Sequence, residues 1–413
     1  MGRRRFVAAI VSVWCAGSVI ATNSAAAPAS QASRESTVIL LSWDGLRHDF
    51  PDKGNFPGLL RMEQTGVRAN RLIPVFPSNT FPGHVSIATG TYPDRHGIVD
   101  NHFFAREEAS WYHMSSDANW IRAEPLWIAA ERQGVSSATY FWVGSESDWH
   151  GQGTRYRIAP FDGRRPEHKK VDQILAWLHL PEAERPRLIM SYWAGADSVA
   201  HRHGPDSPEV VTQLTLQDVQ LQRLLAGLDA LDCWAMTTLI LVSDHGMATN
   251  SQFIDLTKVF ADANIEVEVV GVNPAHVFVE DQNLSNRAGS VLRKLDRVTV
   301  YRGLEFPAEM RLGFPDRIGD WVVVTEPPYS FARLAPGSVM GMHGYNPLLD
   351  EMGASFLALG RGIASDLEIA DVHQIDVAAT VTLLLGIDPP LHSEGRAIPG
   401  IGVRTLSDVE SCQ

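Results

Sequence analysis

Three short apolar runs along this chain each end in glycine and acidic residues. Such runs, without polar alternation, are typical of strands buried on both faces of a parallel sheet. Because parallel strands end at a common edge, we expect these acidic residues to lie together, where sheets of this type form binding sites. The runs, with the residues that follow them, are Thr37–Ser42 with Asp44-Gly45, Leu188–Trp193 with Gly195 and Asp197, and Thr238–Ser243 with Asp244-His245-Gly246.

Apolar residues at helical spacing occupy much of the chain between these runs. Ser207-Pro208 supplies an N-cap and a first-turn proline, and leucines and valines recur on one face afterwards. Strands that alternate with helices predict an α/β fold with a mainly parallel central sheet covered on both faces. The other elements predicted for this part are the helices Phe81–Ala88, Pro125–Gln133, Val171–Leu180 and Ile375–Leu384 and the strand Phe356–Leu359.

The pattern changes between residues 255 and 340. Short β-branched runs separated by Pro, Gly and Asn surround one helical stretch, Ser285–Leu295, and predict an inserted α+β subdomain at 255–340. The catalytic α/β domain is then divided into a first part, 37–254, and a second part, 341–413. The predicted strands of the subdomain are Ile265–Val270, His276–Glu280, Val298–Tyr301 and Trp321–Thr325.

The first residues have the pattern of an export signal. Basic Arg3–Arg5 precede the apolar stretch Phe6–Ile20, and small residues follow it. We interpret 1–27 as a signal peptide and 28–36 as a polar leader, which predicts a periplasmic or secreted protein. The alternative is a membrane anchor, but the stretch is interrupted by Cys, Gly and Ser and is short for a bilayer span. We therefore expect no stable membrane insertion after the signal is removed.

Composition and charge narrow the class of partner. Of the 413 residues 45% are hydrophobic and 20% are charged, as in ordinary globular proteins, and the formal net charge is −13. An acidic surface repels nucleic-acid backbones, so a role in binding a nucleic-acid duplex is not expected. A phosphate ester would need local positive charge, and bound cations are the natural source. The sequence leaves the oligomeric state open.

Two cysteines remain after the predicted signal, Cys233 and Cys412. In an exported protein they would form one disulfide, or they would be two buried thiols, and the sequence does not choose between these alternatives. Their spacing does not match a thiolate zinc site.

Carboxylates and imidazoles at the ends of the predicted strands suggest a metal centre. Oxygen and imidazole ligands without thiolates suit zinc, and six of them are too many for one catalytic ion that keeps an open position. Two metals that clamp an in-line displacement fit better. Asp197 and His201 would share a helical face, but His203 competes for the same role. The six candidates are Asp44, Asp197, His201, Asp244, His245 and His343.

Thr80 opens the predicted helix Phe81–Ala88. A hydroxyl there lies near free backbone N–H groups, which favour an alkoxide or a phosphate. A threonine is a weak nucleophile and needs a metal or a base to activate it. The alternative from the local sequence is that Thr80 is simply the N-cap of the helix.

Six segments, in order and spanning most of the chain after residue 36, resemble the nucleotide pyrophosphatase/phosphodiesterase family of the alkaline phosphatase superfamily. As a set they are specific, although single pieces such as Asp-His-Gly recur elsewhere in the superfamily. The segments are Leu41-Ser42-Trp43-Asp44-Gly45, Phe76-Pro77-Ser78-Asn79-Thr80-Phe81-Pro82-Gly83-His84, Thr89-Gly90-Thr91-Tyr92-Pro93-Asp94-Arg95-His96-Gly97-Ile98-Val99-Asp100-Asn101, Asp197-Ser198-Val199-Ala200-His201, Ser243-Asp244-His245-Gly246-Met247 and Met342-His343-Gly344-Tyr345.

This resemblance implies an alkaline-phosphatase-like three-layer sandwich and an exported enzyme with two zinc ions that hydrolyses nucleotide phosphate diesters. It implies that Thr80 is the nucleophile, through a phosphothreonine intermediate, and that Asn101 donates a hydrogen bond to a phosphate oxygen. Phe81 would stack on the base, with Tyr192 as a second aromatic wall. The implied zinc ligands are Asp44, Thr80, Asp244 and His245 for one ion, and Asp197, His201 and His343 for the other, which favours His201 over His203.

Some residues depart from the family pattern, and they leave other functions open. Trp193-Ala194-Gly195-Ala196 replaces acidic residues often found before the second-metal aspartate, and Gly83 replaces a common Asn. The alternatives are a phosphonate, phosphomonoester or lysophospholipid hydrolase of the same superfamily, or a non-catalytic exported metal-binding protein. We expect the neighbouring histidines, which are His84, His96 and His102, to form structural hydrogen bonds.

Overall fold

The computed structural model describes residues 36–402. The predicted signal peptide, all of the leader except Ser36, and Cys412 lie outside the described residues, so the proposed disulfide stays a prediction. Among the described helices, none is both long enough and apolar enough to cross a membrane.

The strands form one large sheet and several small ones. Numbered along the chain, they are β1 (Thr37–Trp43), β2 (Val67–Ala69), β3 (Leu72–Ile73), β4 (His102–Ala105), β5 (Ser110–His113), β6 (Ser137–Tyr140), β7 (Tyr156–Ile158), β8 (Leu188–Trp193), β9 (Thr237–Val242), β10 (Ala248–Asn250), β11 (Gln252–Phe253), β12 (Glu268–Val270), β13 (Ala275–Phe278), β14 (Val298–Arg302), β15 (Trp321–Thr325), β16 (Tyr329–Ser330), β17 (Met340–Met342), β18 (Phe356–Gly360), β19 (Leu367–Ile369) and β20 (Val372–His373).

Ten α-helices connect these strands within the described residues. They are α1 (Pro57–Thr65), α2 (Thr80–Thr89), α3 (Pro93–His96), α4 (Leu126–Arg132), α5 (Glu167–Leu178), α6 (Asp197–His203), α7 (Pro208–Ala230), α8 (Leu256–Asp262), α9 (Gln282–Leu292) and α10 (Asp376–Leu385).

The central sheet has eight strands in the order β19-β2-β18-β9-β1-β8-β6-β7. Strand β1 lies in its middle and pairs in parallel with β8, with Val38 opposite Leu188, and in parallel with β9, with Thr37 opposite Thr237. Strand β18 runs antiparallel to β9 and to β2, so the sheet is mixed but mainly parallel. The predicted α/β fold class is confirmed.

Alternate residues of β1 face two different hydrophobic clusters. Ile39 and Leu41 pack with side chains of α1, α5 and α7, whereas Val38 and Leu40 pack with side chains of α2, α4 and α10. Because side chains alternate across a strand, a run that is apolar throughout must be covered on both sides. The result is the predicted three-layer arrangement of helix, sheet and helix.

A second sheet of four antiparallel strands, in the order β12-β13-β15-β14, lies within the range predicted for the inserted subdomain. Its core includes Trp321 and Val323 and packs against α8 and α9. The Trp321 indole donates a hydrogen bond to the Ser285 carbonyl oxygen at 3.0 Å, which joins α9 to the sheet. The domain boundaries themselves stay a prediction.

Two elements of this region differ from the sequence expectation. The predicted strand Ile265–Val270 starts only at Glu268, since the Ile265 N–H donates to the carbonyl of Phe260 and so closes α8. The helix predicted at Ser285–Leu295 begins earlier, at Gln282, because the Asp281 carboxylate accepts hydrogen bonds from the first free N–H groups.

Candidate active site

Neighbouring strands of the central sheet bring three carboxylates together. Asp44 follows β1, Asp197 follows β8 and Asp244 follows β9. Gly45 makes this close approach possible. Its φ of +67° disfavours other residues, and an added Cβ would lie 3.0 Å from the Cα of Asp197. The backbone N–H of Gly45 donates to Asp244 Oδ1 at 3.1 Å, which joins the ends of β1 and β9.

One group of possible ligands consists of Asp197, His201 and His343, whose ligand atoms all lie within 4.8 Å of one another. The Nε2 atoms of His343 and His201 are 3.1 Å apart, and His201 Nε2 lies 3.3 Å from Asp197 Oδ1. Ligands at bond lengths of about 2.0–2.2 Å from one tetrahedral zinc are separated by similar distances. His203, in contrast, is exposed at the end of α6, so the structure places His201 rather than His203 in this group.

A second group is formed by Asp44, Asp197 and His245, so Asp197 belongs to both groups. His245 Nε2 lies 3.5 Å from Asp44 Oδ1 and 3.2 Å from Asp244 Oδ2. The rings of His245 and His343 stack with centroids 3.7 Å apart, which brings the two groups side by side. All six ligand candidates predicted from the sequence therefore lie in one place.

Backbone carbonyls fix the tautomers of the three histidines. The Nδ1 atoms of His201, His245 and His343 lie 2.8–3.0 Å from the carbonyl oxygens of Gly341, Gly246 and Ser78, respectively. A carbonyl oxygen only accepts, so each Nδ1 carries the proton and each Nε2 keeps its lone pair for a metal. Imidazoles that bind a metal through one nitrogen usually donate the N–H of the other nitrogen to a carbonyl or carboxylate in this way.

The carboxylates lack the partners that buried charges need. Among the described residues, Asp44 Oδ1, Asp197 Oδ1 and Asp244 Oδ2 are buried without a hydrogen bond. Burial raises the pKa of Asp44 well above its usual value, and the neighbouring charges of Asp244 and Asp197 raise it further. Burial also opposes ionisation of Asp197, but the nearby imidazoles of His201, His343 and His245 together outweigh it and lower the pKa of Asp197. Divalent cations would satisfy these oxygens, so the residues present fit a metal centre.

Thr80 is the first residue of α2, and Asn79 is the N-cap. The alternative that Thr80 caps the helix is therefore wrong. Its side chain is directed to the centre instead, with Oγ1 3.3 Å from His245 Nε2. Gly83 lies one turn later in α2, and a Cβ there would approach the Asp244 carbonyl oxygen to 2.9 Å. The glycine that departs from the family pattern thus allows α2 to pack closely against the end of β9.

The side chain of Asn101, rather than that of the N-cap residue Asn79, caps the start of α2. The Asn101 Oδ1 accepts a hydrogen bond from the backbone N–H of Phe81 at 2.9 Å. Because that N–H needs an acceptor, the amide orientation is fixed and the Nδ2 group is directed elsewhere. No partner for this Nδ2 is found among the described residues, which leaves it available as a donor.

The two aromatic residues predicted to contact a base, Phe81 and Tyr192, have other contacts in the structure. The Phe81 side chain is only 6% exposed and packs edge-on against Tyr112. The Tyr192 hydroxyl donates to Asp44 Oδ2 at 2.6 Å, so this side chain holds a possible ligand. Phe161, which the sequence reasoning missed, packs against Tyr192 and is 49% exposed. It lies in a polar loop between β7 and α5, where no periodic pattern marks it.

Hydrogen bonds account for two of the three neighbouring histidines. His84 lies 2.7 Å from the Ser42 hydroxyl and 2.8 Å from the Thr80 carbonyl oxygen, and His96 accepts from the Ile98 N–H and contacts the Ser86 hydroxyl. Both nitrogens of each ring are occupied, as expected for structural histidines. The third, His102, pairs at 3.2 Å with His113 across the hairpin β4–β5.

Comparison with known proteins gives one consistent result. Residues 38–346 match the family described as type I phosphodiesterase / nucleotide pyrophosphatase. The chain is 33% identical to an uncharacterized pyrophosphatase/phosphodiesterase of Schizosaccharomyces pombe over 79% of this chain and 71% of that protein. It is 30% identical to ectonucleotide pyrophosphatase/phosphodiesterase family member 1 of Homo sapiens over 85% of this chain, which spans 40% of the human protein.

Solved structures share the fold. Murine ectonucleotide pyrophosphatase/phosphodiesterase 5 superimposes with a TM-score of 0.80 at 24% identity, covering 91% of this chain and 99% of the murine chain. An inactive variant of that murine protein was solved in complex with AMP. The prediction of a hydrolase of this class is confirmed, and the chain belongs to the type I phosphodiesterase / nucleotide pyrophosphatase family of the alkaline phosphatase superfamily.

Proposed function

We propose that this protein is an exported two-zinc enzyme that hydrolyses nucleotide phosphate diesters, for example a nucleoside triphosphate to a monophosphate and pyrophosphate. The observation that carries the proposal is the position of the Thr80 hydroxyl. It lies at the start of α2, 3.3 Å from His245, beside two groups of buried and partly buried residues that could hold a metal ion. A nucleophile there would be placed to attack a phosphoryl group bound by the cations that these ligands would hold.

We propose two zinc sites, each with its own set of ligands. Asp44, Thr80, Asp244 and His245 would hold one ion, and the second would be held by Asp197, His201 and His343. Bound zinc would supply a Lewis acid that makes a nearby hydroxyl more acidic and offsets negative charge on phosphoryl oxygens. The fixed Nδ1 protons and the unpartnered carboxylate oxygens support this assignment.

In the proposed reaction, Thr80 Oγ1 gives up its proton to solvent and forms a bond to phosphorus while the bond from phosphorus to the leaving oxygen breaks. The leaving group keeps the electron pair and takes a proton from solvent. Water then hydrolyses the phosphothreonine, which returns the Thr80 hydroxyl and releases the second product. During both steps Asn101 Nδ2 would donate a hydrogen bond to a non-bridging oxygen, an interaction that strengthens as charge develops there.

Nucleotides are the proposed substrates for two reasons. The relatives are named nucleotide pyrophosphatases, and the murine structure holds AMP. In this chain, the exposed ring of Phe161 beside Tyr192 offers a surface on which a base can stack. Export is supported by relatives named ectonucleotide enzymes and by a venom phosphodiesterase of Naja atra.

One observation favours a second candidate, a diesterase for non-nucleotide substrates of the same superfamily. Because Phe81 is 6% exposed, it offers little ring area to a base. A panel of ATP, a dinucleoside polyphosphate, a cyclic dinucleotide and a choline lipid would separate the two candidates. A higher kcat/KM for the lipid than for every nucleotide would favour the second.

The nucleophile can be tested with paired variants in one helix. Thr80→Ala should lower kcat on a chromogenic thymidine phosphodiester by roughly 10⁴-fold or more, the scale seen when a nucleophile is removed, with zinc still bound. Thr89→Ala is the matched control, since Thr89 is buried in α2 and, within residues 36–402, its hydroxyl bonds only to the Val85 carbonyl oxygen and to Thr91. Comparable activity in the two variants would contradict the role of Thr80.

A further inference from the structure

A buried carboxylate that the proposed reaction does not use lies directly behind the site. Asp100 is 2% exposed, and its Oδ1 accepts two hydrogen bonds, from the backbone N–H of Asn101 and from Asn79 Nδ2, both at 2.7 Å. Its Oδ2 has no hydrogen-bond partner among the described residues and lies 3.7 Å from His276 Nε2, which has none either. A carboxylate buried with so few donors costs free energy, so packing alone does not explain it.

The two donors to Asp100 Oδ1 connect it to two different parts of the centre. Asn79 Oδ1 accepts a hydrogen bond from His343 Nδ1 at 2.8 Å, so this asparagine holds the imidazole of a proposed zinc ligand. Asn101 holds the start of α2 through the Phe81 N–H, and its Nδ2 is the proposed donor to phosphate. A single carboxylate oxygen therefore fixes both asparagines.

Asn79 shows that this arrangement overrides a strong local preference. Asparagine is among the best N-cap residues, and Asn79 occupies the N-cap position of α2. Yet its side chain caps nothing and instead bridges Asp100, His343 and the carbonyl oxygen of Asn273. The lost cap is replaced by Asn101, which is itself held by Asp100.

We propose that Asp100 is a positioning residue that holds the main chain of Asn101, from which its carboxamide extends, and, through Asn79, the His343 imidazole in the geometry that binds the phosphoryl group. This inference rests on the proposed roles of Asn101 and His343. It does not require Asp100 to touch the substrate. It requires an acceptor at the position of Oδ1, and a neutral oxygen there would serve.

The test compares two substitutions of Asp100 with a matched control. Asp100→Ala removes the acceptor, and we expect kcat to fall about 10–100-fold with little change in KM, and zinc affinity at the His343 site to weaken about 10–100-fold. Asp100→Asn keeps an acceptor oxygen, so kcat and zinc affinity should stay within about threefold of the unchanged protein. Zinc affinity is measured by competition with a chromogenic chelator, independently of turnover.

Asp218→Ala is the control. Asp218 is also buried and accepts backbone N–H groups, those of Gly58 and Leu59, but it lies between α7 and α1. It should lower the melting temperature without changing kcat or zinc affinity. If Asp100→Ala behaves in the same way, Asp100 is merely structural and the proposal fails. The proposal also fails if Asp100→Asn is as impaired as Asp100→Ala.

If Asp100→Ala does not fold, Asn79→Ala breaks the same connection at its other end. Zinc affinity at the His343 site should again fall, and an unchanged affinity would overturn the proposal. The proposed function fails separately, if the unaltered protein with both zinc sites filled does not turn over any phosphodiester. In that case the zinc measurements still decide whether Asp100 positions His343.

Discussion

The carboxylates at the ends of the central sheet and the carboxylate beside the four-stranded sheet differ in their hydrogen-bond partners. At the ends of β1 and β9, Asp44 and Asp244 each have one buried oxygen without a hydrogen-bond partner in the part of the chain that the structure describes. At the start of β15, Asp320 accepts a hydrogen bond from the Val279 N–H at 2.8 Å and lies 3.5 Å from Arg106. The carboxylate beside the second sheet is therefore paired within the protein, whereas the two at the central sheet hold buried charge that costs stability until a ligand satisfies it.

The largest effect is expected from Asp44→Asn, which removes one of the buried charges at the end of the central sheet. Removing one ligand charge should lower kcat/KM for a phosphodiester by roughly 10³-fold or more, the scale of losing one catalytic group. The same change should raise the melting temperature of the metal-free protein, because burial and the charges of Asp244 and Asp197 disfavour the Asp44 carboxylate. Asp320→Asn is the control and should neither lower kcat/KM nor raise the melting temperature of the metal-free protein. A metal-free Asp44→Asn protein that melts below the unchanged one would contradict the account.

Trp321→Ala should lower the stability of the protein and leave its activity unchanged. The side chain is buried at the centre of the four-stranded sheet, and Gly289 of α9 leaves room for its ring. We expect a loss of about 3–5 kcal/mol in the free energy of unfolding, as for other buried tryptophans, with kcat of the folded fraction unchanged. Urea unfolding and initial rates measure the two effects. A fall in kcat larger than the fall in folded protein would couple this sheet to the chemistry.

Removing the metals should weaken the central sheet selectively. A cation present at 100 times its dissociation constant stabilises the folded state by about 2.7 kcal/mol per site. Exhaustive chelation should therefore lower the melting temperature and abolish turnover, and added zinc should restore both. Hydrogen exchange should increase at the ends of β1, β8 and β9 and not in β13 or β15. Activity that survives chelation would exclude the metal mechanism.

The smallest effect concerns the pH dependence of stability. Burial raises the pKa of Asp100 to about 7, although the hydrogen bonds from Asn101 and Asn79 oppose the rise. The folded state then binds a proton more tightly than the unfolded state, so Asp100 costs stability as pH rises from about 4 to 7. Asp100→Asn should be more stable than the unchanged protein at pH 8, and the difference should vanish near pH 4. A difference independent of pH would contradict this.

Much of the fold and the candidate site follows from short-range patterns. Strands β1, β8 and β9 were predictable because they are apolar throughout, and their ends place Asp44, Asp197 and Asp244 at one edge. The choice of His201 over His203 came from the family resemblance, since spacing along the chain left it open. The structure brings the predicted ligands together, while their roles stay proposals.

The rest depends on contacts between distant segments. Asn79 has the local pattern of an N-cap, and only the fold shows that Asp100 and His343 claim its side chain. Tyr192 was predicted as an aromatic wall. Its hydroxyl partner, Asp44, is 148 positions away, so the local sequence does not show that contact. Phe81 was expected to be accessible, but packing against Tyr112 covers it. No pattern within a single segment contains this information.

The carbonyl oxygens that orient His201, His245 and His343 belong to the main chain. Main-chain atoms are the same in every residue type, so most substitutions around the centre leave the direction of these imidazoles intact. The surroundings of the site can then diversify during evolution, and new substrates can be accommodated, without loss of the metal geometry. Of the three, and among the residues described, only the Nδ1 of His343 also contacts a side chain, that of Asn79, so the tolerance to change should be lowest there.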